Sequence, residues 1–503
     1  MRKAAPVPEA VQLSEYHLAA LNRRRRIIDL AGLIEPFGVG PKRWIGWRFS
    51  LVDQPGVAID SLWWCINEGN FAVYPSKILP FEKVPSMKPW WDAGVDVLQV
   101  MVEETHKRNV EAFFAYRLNG YDRDSDDVPF EQPVKQEHPD WLLSGEGAWC
   151  PGGLWNFAVP EVQDYKVSIL REVAENYDFD GMMVDFARHP PCLPPGQQWA
   201  HRDAMTDFVR KVRGMLQDVA TMRDRPYLLS VRVPCTVPGC HYDGLDIETW
   251  ARQNLVDIVV MGSRSIEVDV AGFRRAAAGT PIQLYPSLDD AHSPDGYHFP
   301  PIEFFRGMCA NWWHQGVDGI LAFNLYDATR EASEAVGPHD VGNPEVHQQI
   351  FREIGDPEGM RFLDKVFVVP RQYGAGWEER WHFYHNTNSQ ATLPAPLPEG
   401  DTPTILTIYV ADDLAEHVER VQRVELRLLR SGATASAGIE VKLNGILLSA
   451  PAETAEGWLV FGATPRQFSV GPNLVHILMR SRVTDSADPI LIEKLEVHVA
   501  YAR

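Results

Sequence analysis

The sequence predicts an α/β chain in which a (β/α)8 TIM barrel is followed by a C-terminal all-β sandwich of jelly-roll type. Three observations carry this. From about residue 57 to 325, short apolar segments rich in β-branched and aromatic residues alternate with amphipathic stretches of helical period, the pattern of repeated βα units. After about residue 360 the period drops to two, with turn residues between the runs. The chain has 503 residues, more than one hydrophobic core fills, so a barrel-sized unit and a smaller one are expected. The division is placed at 1–355 for the barrel, with an N-terminal helical extension, and 356–503 for the sandwich.

Eight segments read as barrel strands: VAIDSLWWC (57–65), VEAFFAYR (110–117), GLWNFA (153–158), FDGMMVDF (179–186), PYLLSVRV (226–233), VDIVVMG (256–262), PIQLYPS (281–287) and DGILAFNL (318–325). Between them lie helical stretches such as VDVLQVMVEETHKRN and AMTDFVRKVRGMLQDVA, with apolar residues at three- and four-residue steps. An open doubly wound sheet is the alternative, but no glycine-rich phosphate fingerprint follows the first predicted strand. The insertions at 66–92 and 118–152 follow strand C-termini, the barrel face on which active sites form. The runs TILTIYVA, VQRVELRLLR, IEVKLNGILL, NLVHILMRS and LIEKLEVHVAY alternate as sandwich strands do. They offer no aromatic row for a sugar, so the sandwich is expected to be a structural module packed on the barrel.

Composition excludes several function classes. A formal net charge of −20 repels phosphate backbones and anionic membranes. The one basic run, Arg23 to Arg26, reads as a solvated or salt-bridged helix face, so no nucleic-acid partner is expected. No stretch of 18 apolar residues occurs, and no apolar region follows the basic N-terminal residues. Six scattered cysteines suit a reducing compartment. The expected location of the chain is therefore cytoplasmic, although the same sequence would result if a signal peptide had been removed.

The fourth predicted strand is the informative one. Gly181, Met183 and Asp185 share one parity, which directs Asp185 into the barrel mouth. A carboxylate there is placed as a nucleophile, base or substrate clamp; the alternative is a carboxylate that pins neighbouring arginines. Arg117, Arg188, Arg232 and Arg264 fall at or just beyond strand ends, where a guanidinium needs a carboxylate to fork onto, either Asp185 or an anionic substrate. His189, Cys192, Cys235, Cys240 and His241 lie on adjacent loops. CTVPGCH lacks the close spacing of strong zinc motifs, so neither metal nor cofactor is expected.

YDFDGMMVDFARHP, preceded by the helix after NFAVPEV, resembles the glycosyl-hydrolase-like family 10 group of bacterial barrels. In these, a strand-four Phe-Asp-Gly run ends in an Asp with Arg-His-Pro following. The resemblance extends through HKRNVEAFFAYRLN and VDGILAFNLYD and excludes the sandwich. It implies a glycoside hydrolase of TIM-barrel fold with Asp185 in the place of a strand-four nucleophile. A looser similarity is to family 18 chitinases, whose Asp-Gly-x-x-x-Asp-x-Glu pattern supplies the acid at its last position. Here that position is Ala187.

Glycoside hydrolysis needs a second carboxyl group. Glu267 is the first candidate and Asp289 the second; Asp122, Asp124, Asp290 and Asp327 also fall near strand ends. Arg117, Arg188, His189 and Arg232 would position the sugar. Trp63, Trp64, Trp149, Trp155 and Tyr285 would stack on it, and Asn119, Asn156, Asn324 and Tyr326 would bond its hydroxyls. The expected function is cleavage of an oligosaccharide or polysaccharide, an acidic sugar being one option. The alternatives are a non-catalytic carbohydrate-binding barrel and a metal-dependent hydrolase or lyase.

Overall fold

A computed structural model describes the chain except residues 1–8, 32–36, 66–69, 82–84, 120–122, 126–127, 130–131, 145–152, 263–265, 267, 290, 293–295, 324, 326–327, 337–343, 372–390, 432–437, 481–488 and 503. Eight parallel strands close into a barrel: β1 (Ile27–Ala31), β2 (Ile59–Trp64), β3 (Glu111–Arg117), β4 (Gly181–Asp185), β5 (Leu228–Val233), β6 (Ile258–Met261), β7 (Gln283–Leu288) and β8 (Ile320–Phe323). The expected barrel is present, with one exchange of strands. Residues 27–31, expected to be part of a helical extension, form β1 between β8 and β2. The segment 153–158 is not a barrel strand; Trp155 makes only an isolated bridge to Leu142.

The barrel interior is filled by alternate residues of each strand, among them Ile28, Leu30, Trp63, Phe113, Met183, Ile258, Val260, Tyr285 and Phe323. Their neighbours face the surrounding helices in a separate and larger apolar cluster that includes Trp64, Phe114, Met182, Val184, Val231 and Val259. Gly181 has an interior reason to lack a side chain, since a Cβ there would lie 2.2 Å from the Phe113 ring. That ring stacks on Trp63 at 4.7 Å.

The N-terminal end of the barrel is closed by buried polar groups. Arg25 forks onto Glu111 with two bonds of 2.7 Å, and Ser61 donates to the same carboxylate at 2.8 Å. Beside it Asp257 accepts from Arg213 at 2.7 and 2.8 Å and pairs with His17 at 2.8 Å, which ties the helix Glu15–Leu21 to the barrel floor. Arg25 and Arg26 of the basic run are thus ion-paired where they lead into a strand, Arg26 with Asp60 at 2.8 Å.

The sandwich packs a six-stranded sheet against a four-stranded one around its own apolar core. It meets the barrel at the helix Ile302–His314, which lies on the strand Lys365–Val368. Asn311 of that helix donates to the Tyr409 carbonyl and accepts from the Ala411 amide, both at 3.0 Å, as a neighbouring strand would.

Candidate active site

Strand register builds the site. Arg117 at the end of β3, Asp185 at the end of β4 and Arg232 in β5 stand on one rung. Asp185 is 1% exposed and Arg232 fully buried. Arg232 Nη1 donates to Asp185 Oδ2 at 3.0 Å, and Nε to the Gly262 carbonyl at 3.3 Å. Asp185 Oδ1 accepts from the backbone amides of Ala187 and Arg188, both at 3.0 Å, an Asx-type turn that bends the chain out of β4. A carboxylate offers about four acceptor positions, and these bonds occupy three. The Phe323 ring lies 4.0 Å from the Arg232 guanidinium.

Asp289, just past β7 and fully buried, belongs to the same electrostatic group. Burial lowers the pKa of Arg232; Asp185 opposes that shift, Arg117 adds to it and Asp289 opposes it. Ser287 shares the inward parity of Tyr285 and Asp289. Its hydroxyl and Arg232 Nη2 are buried without a hydrogen-bond partner among the described residues. Just past β6, the strand between them, Gly262 contributes no side chain. Buried donors in this state call for an acceptor. The signal for Ser287 was its period-two spacing from Asp289.

The remaining expected site residues divide in two. His189 and Arg188 lie on the loop that begins at Asp185, His189 fully buried with φ 58°. Asn119 braces that loop: its Nδ2 donates to the His189 and Pro191 carbonyls at 3.3 Å and its Oδ1 accepts from the Trp155 amide at 2.9 Å. Asn156 accepts from the Ala158 amide at 3.1 Å ahead of the helix Pro160–Asn176. Both asparagines thus bond loop backbone.

The stacking residues require correction. Trp63 is inside the barrel, its Nε1 donating to Ser61. Trp64 faces the helices and donates to Thr105. Tyr285 directs its hydroxyl to Gln283 toward the barrel floor, and Trp155 is closed in beside Lys135 and Lys166. All four rings are completely buried: barrel parity places Trp63, Trp64 and Tyr285 in one core or the other, and Trp155 is covered on the loop outside the barrel. Glu267, Arg264, Asp122, Trp149, Asp290, Asn324, Tyr326 and Asp327 lie outside the described residues, as does the side chain of Asp124.

The cysteine and histidine loops hold no trio of ligands for a metal among the described residues. Burial pushes the thiols of Cys192 and Cys240 up, and His241 pairs with Glu248 at 2.9 Å. Asp243, which the sequence reading passed over, is 5% exposed in the loop after β5. Burial holds its carboxyl well above the usual carboxylate range. A cavity of about 400 Å³ lined by Arg23, Arg24, Asp53, Asp60 and Arg108 opens at the opposite, N-terminal face.

Comparison with known proteins bears out the family resemblance. Residues 50–194, which contain β2, β3, β4 and the Asp185 loop, match the family model Glycosyl hydrolase-like 10. The segment 317–327 lies beyond that match. Glycosyl hydrolase DigH of Escherichia coli K12 is 32% identical over 140 residues, 26% of this chain and 31% of that protein. Glycosyl hydrolase YngK of Bacillus subtilis 168 is 32% identical over 124 residues, 24% of this chain and 23% of that protein. The chain thus spans less than a third of the length of either relative. Similar solved structures include chitinase ChiW from Paenibacillus sp. FPU-7, with 10% identity, a TM-score of 0.41, and coverage of 94% of this chain and 54% of that one. A family GH18 chitinase from Chromobacterium violaceum has 10% identity and a TM-score of 0.36, covering 98% and 93%.

Proposed function

We propose that the barrel is a glycoside hydrolase that cleaves an oligosaccharide or polysaccharide, with an acidic sugar among its units, using Asp185 and a second carboxyl group. The observation that carries this is Asp185 itself: a buried carboxylate at the C-terminal end of β4, oriented by Arg232 and two backbone amides, with one acceptor position left for substrate. The match of residues 50–194 to a glycosyl hydrolase-like family supports it.

Asp185 acts as nucleophile or base, and its oxygens do not have to reorganise when charge develops nearby. Glu267 and Asp289 remain the sequence-based choices for the partner. Asp243 joins them as a buried carboxyl group on the segment that leaves the C-terminal end of β5, the same barrel face. Arg117, Arg188 and His189 surround the sugar, and the unpartnered donors Arg232 Nη2 and Ser287 Oγ favour an anionic group on it. Incubation of the protein with xylan, laminarin, glycol chitin and polygalacturonate, read as release of new reducing ends, tests the reading. Release from at least one, strongest from the acidic polymer, is expected; none from any opposes it.

Two observations favour a second reading, a barrel that binds carbohydrate without cleaving it. Three of the acceptor positions on Asp185 are occupied, and Ala187 stands where the family 18 pattern has its acid. Binding of a polysaccharide without reducing-end release would support it.

A further inference from the structure

Four of the rings expected to stack on sugar, those of Trp63, Trp64, Trp155 and Tyr285, are buried, yet the face that carries Asp185 exposes other aromatics. Among the described residues the exposed aromatic side chains are Tyr16, Phe81, Trp199, Tyr242 and Phe299. Four of these five, all but Tyr16, lie on segments that leave the C-terminal ends of β2, β4, β5 and β7.

Trp199 and Tyr242 are the best defined. Trp199 is 41% exposed and closes the loop that opens at Asp185; Tyr242 is 51% exposed and ends the helix Val237–Tyr242 after β5. The two segments are packed together. The Trp199 ring lies 4.4 Å from that of His241, which Glu248 holds, and a Cβ on Gly244 would fall 2.5 Å from the Gln198 carbonyl oxygen. Arg202 lies 4.9 Å from the indole. The indole is therefore fixed in place while a large part of it faces water. An indole held in this way offers an apolar surface whose natural complement is the C–H face of a pyranose.

We propose that Trp199, with Tyr242 on the segment it packs against, forms an outer sugar subsite, so that the substrate is an extended glycan running from Asp185 outward over the β4 and β5 loops. The inference rests on the glycoside hydrolase reading and narrows its substrate from oligosaccharide to polymer. Catalysis at Asp185 needs only the residues flanking the scissile bond; a platform a loop-length away is useful only to a chain with more units.

The test compares Trp199→Ala and Trp199→Phe with the parent on xylan, laminarin, glycol chitin and polygalacturonate and on the disaccharide of each. For Trp199→Ala the ratio of polymer to disaccharide kcat/KM should fall about tenfold, through polymer KM rather than kcat, and Trp199→Phe should recover most of it. Polymer binding to Asp185→Asn protein should also quench tryptophan fluorescence, and the quench should shrink when Trp199→Ala is added. An unchanged polymer-to-disaccharide ratio, with polymers still cleaved, overturns the subsite and leaves the hydrolase reading intact. Failure of the parent to bind or cleave any of these glycans overturns both.

Discussion

Replacing Asp257 with Asn should cost the fold about 3 to 5 kcal/mol, the penalty for removing one partner of a buried ion pair. The geometry sets the size. Asp257 is completely buried immediately before β6, and its oxygens accept from Arg213 Nη2 at 2.7 Å, Arg213 Nη1 at 2.8 Å and the Leu229 amide at 2.7 Å, with His17 Nε2 at 2.8 Å. Asn keeps the shape but not the charge, so Arg213, 1% exposed, is left without its counter-ion. Guanidinium unfolding followed by circular dichroism gives the loss as a lower midpoint at constant slope. A second replacement, Arg213→Met, should restore part of the loss because the two residues act as one unit. The pH dependence carries the same signature. Burial alone would raise the Asp257 pKa, but the Arg213 charge and the bonds from His17 and Arg213 hold it well below the usual carboxylate range. A depressed folded pKa stabilises above the unfolded value of about 3.9, and that contribution is lost as pH falls through the folded pKa. The parent should therefore lose stability below about pH 4 more steeply than Asp257→Asn. A loss under about 1 kcal/mol, or acid limbs of equal slope, would refute the assignment of Asp257 as the keystone of the barrel floor.

Two steric predictions concern other parts of the fold. Gly307→Ala puts a Cβ 2.1 Å from the Val366 carbonyl oxygen, so the helix Ile302–His314 must lift from the sandwich strand; a loss of about 1 to 3 kcal/mol and faster proteolysis between barrel and sandwich are expected. Gly181→Ala drives a methyl group into the Phe113 ring beneath Asp185, and should lower the melting temperature and any glycosidase activity together.

Much of this architecture was legible in the sequence, and the errors have physical causes. The strand count came to eight through two opposite misreadings. The segment 27–31 is five residues long and follows four arginines in a stretch that reads as a helix; Arg25 and Arg26 are ion-paired and lead into a strand instead. GLWNFA has the composition of a strand, but its backbone and side-chain bonds go to Asn119, Asn70 and the turn before a helix. Parity placed Asp185 correctly on an inward rung and could equally have warned that Trp63 and Trp64, being adjacent, face opposite cores. What the sequence did not contain was depth: Tyr285 has the inward parity of Asp289 but its hydroxyl turns to the floor. The rim aromatics were missed because a loop tryptophan such as Trp199 has no period to mark it. The sandwich was legible because alternation alone separates its core from its surface.

The central claim is that Asp185 performs chemistry at the barrel mouth. It is tested most directly by the turnover of Asp185→Asn on a glycan that the parent cleaves, with unfolding curves run in parallel to show that the variant is folded. The account predicts a fall in kcat of about 100-fold or more, the scale of a lost acid–base or nucleophilic group, with glycan binding retained. A folded Asp185→Asn protein that turns over glycan at a rate close to the parent's would contradict it.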